Sequence, residues 1–260
     1  MKFDWDFFWQ SLLSPSDAFI AGLWMTINVS VVSMVLALVL GLVIALMRLS
    51  RFAPARSFAV FYIWIIRGTP LLVLLVIIYL GLAAAGIYRF EDATLLGITL
   101  RGAIQAAIIG LMINESAYIS EIIRAAIQAV DKGQMEAALT LGMHPTSAMR
   151  WIVLAQALRT MVPPLGNIFN SLMKNTSLLS IIGVSEMFLI TQAISSATFR
   201  TFEIFIVVAL YYLLLTTVWT VIQDRIEAAL DRQIGIRTPN ALLTTWNSVT
   251  TSRPWATRKV

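Results

Sequence analysis

The chain alternates long apolar runs with short polar connections that are mostly basic. The longest run, Ala18 to Met47, holds 30 residues without a charge. Gly68 to Tyr88 adds 21 and Ile204 to Gln223 adds 20. A helix of about 20 apolar residues covers the roughly 30 Å hydrocarbon core of a bilayer. Each run therefore predicts a membrane span. Two further spans carry polar interruptions. Gly102 to Ala129 contains Glu115, Glu121 and Arg124, and the stretch between Thr176 and Ser195 contains Glu186. The pattern predicts an all-α polytopic membrane protein with five transmembrane helices. An odd number of crossings puts the two termini on opposite sides.

Within this frame, Ser57 to Arg67 is apolar but runs into Arg67-Gly68-Thr69-Pro70. The residue before a proline avoids the helical region, so this segment reads as a helix lying in or entering the membrane, broken before Pro70. The alternative is one tilted, kinked helix. Pro163 and Pro164 are expected to turn the chain back toward the membrane before the fourth span. Residues 1–17 form an N-terminal segment whose Trp5, Phe7, Phe8 and Trp9 suit an interfacial belt. Residues 18–235 form the membrane domain, with a loop at 131–151. Residues 236–260 are rich in Thr, Ser, Asn and Arg and read as a poorly ordered extension.

Charge sets the orientation. Cytoplasmic loops are enriched in Lys and Arg. Arg48, Arg51, Arg56 and Arg67 follow the first span, Lys132 and Arg150 follow the third, and Arg225, Arg232 and Arg237 follow the fifth. These ends are expected in the cytoplasm, with the N-terminus outside and the C-terminus inside. The opposite side keeps Lys2, Arg89, Arg101 and Arg200, each beside acids.

Composition changes the picture mainly by exclusion. Hydrophobic residues make up 58% and charged residues 13%, with a mean hydropathy of +0.81. A soluble domain carries about 25% charged residues, so a water-soluble globule is excluded. The net charge of +5 belongs to basic loops and not to a nucleic-acid surface, because the aromatics lie inside apolar runs. There is no Cys and a single His, His144, which excludes thiolate catalysis and a multi-histidine metal site. The acidic, aromatic N-terminus lacks the pattern of a cleavable signal.

The loop at 131–151 contains more than a linker. Gln134 to Leu141 reads as a short helix with Glu136 in its first turn and Ala137, Ala138 and Leu141 on a narrow apolar face. Gly142 then permits a left-handed turn and Pro145 blocks simple continuation. Such a helix can lie on the lipid surface, cap its own bundle, or dock a partner.

The run Glu136-Ala137-Ala138, three residues, Gly142, nine residues, Ile152-Val153-Leu154 resembles the loop signature of ATP-binding-cassette importer permeases, with Ala155 where that signature closes in Pro. Arg67-Gly68-Thr69-Pro70-Leu71-Leu72, Ala117-Tyr118-Ile119-Ser120-Glu121-Ile122-Ile123-Arg124 and Lys174-Asn175-Thr176-Ser177-Leu178 are similar to stretches of the polar amino-acid branch. The resemblance covers Ala18 to Gly235. It implies the fold of a type I importer permease in a bacterial inner membrane, forming half of a pore. It also implies a second permease, two ATP-binding subunits that hold ATP and Mg, an external substrate-binding protein and an amino-acid substrate. In the family the loop helix couples to the ATPase, which gives that role to Glu136, Ala137, Ala138, Leu141 and Gly142. No Gly is followed by Lys, so the phosphate-binding G-x-x-x-x-G-K-[ST] pattern is absent. The chain is expected to bind no cofactor of its own and not to be an enzyme.

Ionisable residues inside a membrane face the protein interior or a watery path. Asn114, Tyr118 and Glu121 follow i, i+4, i+7 spacing and share one face, with Glu115 about 100° away. This set suits an amino-acid ligand. Glu121 and Arg124, spaced i, i+3, equally suit an ion pair near the interface. The Asn175-Thr176-Ser177 break and Ser180 interrupt the apolar pattern, which is tolerated where backbone lines a cavity, so substrate contact there stands beside plain helix packing. Glu186 is expected to pair across a permease interface, or with Lys174 or Arg159. The rival reading is a secondary transporter or channel that uses the intramembrane carboxylates without an ATPase.

Overall fold

The computed structural model describes residues 3–95 and 98–232; the extension at 236–260 lies outside them. The chain opens with α1 (Trp5–Leu13), capped by Asp4, whose carboxylate accepts from Phe7 N at 3.0 Å. Ser16 caps α2 (Asp17–Leu49) in the same way. Such caps satisfy the unpaired N–H groups of a first turn. Then come α3 (Ala53–Gly68) and α4 (Leu71–Ala84), which meet at 104°. Pro70 separates them, so the broken reading of this segment holds and the single kinked helix does not.

A short antiparallel hairpin follows, β1 (Ala93–Leu95) with β2 (Ile98–Leu100), Thr94 opposite Thr99. The all-α expectation is corrected to this extent. The hairpin leads into α5 (Gly102–Ala129), whose first amide, Gly102 N, donates to Asp92 Oδ1 at 2.8 Å. α6 (Lys132–Thr140) is the loop helix. α7 (Pro145–Ile182) is long and locally irregular, with a π-helical turn at Met149–Val153 and a 3₁₀ turn at Thr176–Ile182. α8 (Met187–Thr198) meets it at 54°, and α9 (Thr201–Arg232) closes the described chain.

α2, α5 and α9 are each long and apolar enough to cross a membrane; the pairs α3–α4 and α7–α8 pass the same test jointly. Three expectations change here. The fourth apolar segment, expected between Thr176 and Ser195, is not one helix: it joins the end of a helix that begins at Pro145 to most of α8. Pro163 and Pro164 lie inside that helix and do not turn it. Proline removes a helical hydrogen bond, but neighbouring α9 ties the segment down. Trp219 Nε1 donates to Gly166 O at 2.9 Å, and Gln223 Nε2 donates to Pro163 O at 3.2 Å.

The third correction concerns Glu186, which pairs with neither Lys174 nor Arg159. The helix breaks at Gly183, with φ of 79°, and restarts after Glu186. Its carboxylate caps α8, accepting from Phe188 N at 2.8 Å, Leu189 N at 2.7 Å and the Tyr212 hydroxyl at 3.2 Å.

The main core lies between α2, α4, α5 and α7, around Leu75, Leu111, Ile119, Leu172 and Leu179. Without a hydrophobic drive between helices in lipid, close approach at small residues holds such a bundle. A Cβ at Gly41 would stand 2.6 Å from Ile119 Cγ2, and one at Gly110 2.7 Å from Leu75 Cδ2. A second core joins α1, the start of α2, α8 and α9 around Phe8, Phe19, Met187 and Ile204. Large apolar side chains remain exposed along α2, α3 and α9, the surface a lipid environment solvates.

Candidate functional site

The break between α3 and α4 opens a cavity of about 620 Å³ against α5 and α7. Its rim is the Arg67-Gly68-Thr69-Pro70 segment, where helical hydrogen bonding stops. Thr69 Oγ1 turns back to Ile65 O at 2.8 Å, which closes the end of α3. α5 contributes Asn114, Glu115 and Tyr118. Glu115 is only 5% exposed and accepts from Asn114 Nδ2 at 3.1 Å. The Arg67 guanidinium lies over the Tyr118 ring at 5.2 Å, a cation–π contact. Tyr62 steadies this wall from α3: its hydroxyl donates to Ile113 O at 3.0 Å and lies 2.7 Å from Ser116 Oγ.

The opposite wall was foreseen only at Asn175, which belongs to the expected polar break; Asn167 and Ser171 were not. Asn167, Ser171 and Asn175 of α7 line the cavity, with Pro164 one turn earlier. Their i, i+4, i+8 spacing is a polar stripe on one helix face. The sequence carries that signal, but the expected turn at Pro163 and Pro164 placed the stretch in a connection and hid it. Arg67 was likewise quoted as part of a motif without being placed in the path.

The other candidate residues fall elsewhere. Glu121 does not line the cavity. It accepts from Arg124 Nη2 at 2.7 Å and lies 3.8 Å from Arg48 Nε, tying α2 to α5. Thr176, Ser177 and Ser180 sit in the 3₁₀ turn and bond locally. Thr176 Oγ1 donates to Met173 O, Ser177 Oγ to Lys174 O and Ser180 Oγ to Ser177 O. Of that region only Asn175 reaches the cavity.

The second site is the loop helix. Asp131 caps α6 by accepting from Gly133 N at 2.6 Å, so the helix starts earlier than expected. Glu136 is its fifth residue and lies beyond the first turn. The helix ends in a left-handed Gly142, φ 83°, with Met143 N donating to Ala138 O at 3.1 Å, a glycine C-cap. Ala138 is buried against the start of α7, whereas Glu136, Ala137 and Gly142 are exposed and Leu141 is 85% exposed. The expected single apolar face is therefore split. One residue anchors the helix and the others present an outward surface.

The comparisons agree with this architecture. Residues 37–232 match the family described as binding-protein-dependent transport system inner membrane component. The glutamine transport system permease protein GlnP of Escherichia coli is 37% identical over 227 residues, 87% of this chain and 97% of that one. The probable amino-acid permease protein YxeN of Bacillus subtilis is 36% identical over 224 residues, 86% of this chain and 96% of that one. A crystal structure of an amino acid ABC transporter with histidines superposes with a TM-score of 0.76 at 37% identity, covering 88% of this chain and 100% of that chain. The inward-facing MetNI methionine ABC transporter shares the fold, with a TM-score of 0.65 at 22% identity over 82% of this chain and 95% of that one. By its matched sequence and its fold, the chain belongs to the binding-protein-dependent transport system inner membrane component family.

Proposed function

We propose that the chain is one permease of a bacterial inner-membrane ABC importer for polar amino acids. It crosses five times, with its N-terminus outside, and pairs with a second permease. Two ATP-binding subunits dock on the α6 surface and an external protein delivers the ligand. The observation that carries the substrate reading is the cavity of Arg67, Asn114, Glu115, Tyr118 and the α7 amides. A free amino acid carries both charges. Arg67 offers a planar fork suited to a carboxylate, Glu115 suits an ammonium, and Tyr118 supplies a π-face within reach of either cation. Asn167, Ser171 and Asn175 add donors and acceptors for a polar side chain. The relatives' names, which specify glutamine and amino-acid transport, support the same class.

The cavity lies where two helices break, so its walls belong to elements that can tilt against each other. Movement of α6 would reach it through α7, the helix that carries both the loop junction and the polar stripe. Alternating access follows if nucleotide-driven closure of the ATPases displaces α6 and with it α7. The test is uptake into proteoliposomes containing the full complex, saturating binding protein and a panel of labelled amino acids. Uptake of polar amino acids should require internal ATP. Uptake driven by an ion gradient without the ATPase would replace this reading with the secondary-transporter one.

A further inference from the structure

On the side of α7 away from the cavity lies a second concavity, about 370 Å³, between α2, α7 and α9. Cavity residues Pro164, Asn167, Ile168, Ser171 and Asn175 and groove residues Val162, Leu165, Gly166 and Phe169 occupy opposite helix faces, about 150° apart at 3.6 residues per turn. A second permease that completes the path covers the cavity face and leaves the groove turned outward. The groove is open, and Val35, Leu165, Phe169 and Ile226 make it apolar. Its floor is the Phe169–Trp219 edge contact, ring centroids 4.4 Å apart. The polar tip of Gln223 is already engaged with Pro163 O and with Glu227 Oε1 at 2.8 Å. No polar ligand is served there.

One end of the groove is not neutral. Arg159 stands one turn before Val162 on α7, and its Nη2 donates to Leu230 O at 3.2 Å. Its Nε has no hydrogen-bond partner among the described residues. In the proposed topology this is the cytoplasmic end, at headgroup depth. Resting on that topology, we infer that the groove is a lipid site: one acyl chain of an inner-leaflet anionic phospholipid lies against Phe169 and Trp219, and its phosphate meets Arg159. The occupant follows from three features together: an apolar concavity on spanning helices, a face directed away from the path, and a cation at the end where a phosphate would sit. Glu227 is an acidic side chain near that end, and its Oε1 is held by Gln223 Nε2. A bound lipid would also wedge α2, α7 and α9 together, on the helix that joins the loop to the cavity.

Trp219 makes the site measurable. The full complex is reconstituted in phosphatidylcholine with increasing phosphatidylglycerol brominated along its chains, and Trp219 emission is taken as wild type minus Trp219→Phe. Quenching should saturate at a low mole fraction of brominated phosphatidylglycerol, and brominated phosphatidylcholine should fail to reproduce it. Arg159→Gln should weaken the saturable phase about fivefold, the usual attraction of one basic side chain for anionic lipid. Val35→Phe, which fills the groove, should remove that phase and leave the linear one. Because Trp219→Phe also loses the bond to Gly166, phosphatidylglycerol retained by wild type and by Arg159→Gln on purification is counted by mass spectrometry as a second readout. Quenching that tracks the bulk lipid fraction with no headgroup preference overturns the site. So does complete protection of Trp219, which would mean that a second chain covers the groove. Cysteine labelling of Ala93→Cys and Gln134→Cys in the same vesicles reports topology separately, so failure of the lipid site is distinguishable from failure of the five-span reading.

Discussion

Two carboxylates on α5 stand six residues apart in different surroundings. Glu115 is buried at the cavity wall with one amide partner, whereas Glu121 is held by Arg124 and approached by Arg48. Glu115→Gln keeps the shape and removes the charge that an ammonium would meet. Uptake of polar amino acids should fall at least about tenfold, equivalent to roughly 1.4 kcal/mol, with complex assembly unchanged on gel filtration. Glu121→Gln should leave ligand dependence alone and cost about 0–1 kcal/mol of stability, the range of a partly exposed pair. If the two effects are exchanged, the ligand lies near Glu121. Glu186 is a third kind of acid, 0% exposed and bonded to two amides and a hydroxyl. Glu186→Ala strips a cap and leaves buried donors unsatisfied, so thermal unfolding should show a loss of about 1–3 kcal/mol, with Glu186→Gln losing less.

At the scale of elements, two breaks and one cap shape the two sites. The α3–α4 break exposes backbone beside the cavity, and the Gly183–Glu186 corner ends the helix that forms its other wall. The cap at Gly142 sets the outward surface of α6. Its φ of 83° is a region where L residues are strained by roughly 1–2 kcal/mol. A Cβ there would meet nothing within 4 Å, so the damage expected from Gly142→Asp comes from backbone strain and from the added charge on the surface proposed to dock the ATPase. Reconstituted complexes with saturating binding protein should lose uptake and ligand-stimulated ATP hydrolysis together, while Gly142→Ala loses less. Normal transport at full ATPase occupancy would leave α6 as a lipid-surface helix instead.

Across the whole molecule, the three long helices and the two bent pairs form one bundle whose ends differ in charge. In the five-span topology Ala93, exposed on the hairpin, faces outside and Gln134 faces the cytoplasm. With no native Cys, Ala93→Cys should react with an impermeant reagent in sealed cells and Gln134→Cys only after permeabilisation. Reaction of both from one side would remove the topology.

The long apolar runs were legible because a bilayer imposes a length and a polarity that any sequence must meet. The same holds for the cap at Gly142, which is local, and for the family motifs. The helix from Pro145 through Asn175 was not legible, because two prolines and a polar stripe read as a loop when water is the assumed surrounding. Elements distant in the chain hold that segment as helix: Trp219 and Gln223 bond its carbonyls, Arg159 bonds Leu230 O, and Leu172 packs in the main core. The role of Glu186 was hidden for a related reason: its cap bonds are local, but its burial and its Tyr212 contact depend on α9 packing over the corner. Periodicity placed Asn114, Tyr118 and Glu121 on one face and could not say which of them would face the cavity. That was decided by Arg48 and Arg124 holding Glu121, and by α3 and α7 enclosing Asn114, Glu115 and Tyr118. What depends on neighbours within a few residues, or on the solvent, is written along the chain; which polar side chain meets a cavity and which meets a partner is settled by helices that are distant in sequence.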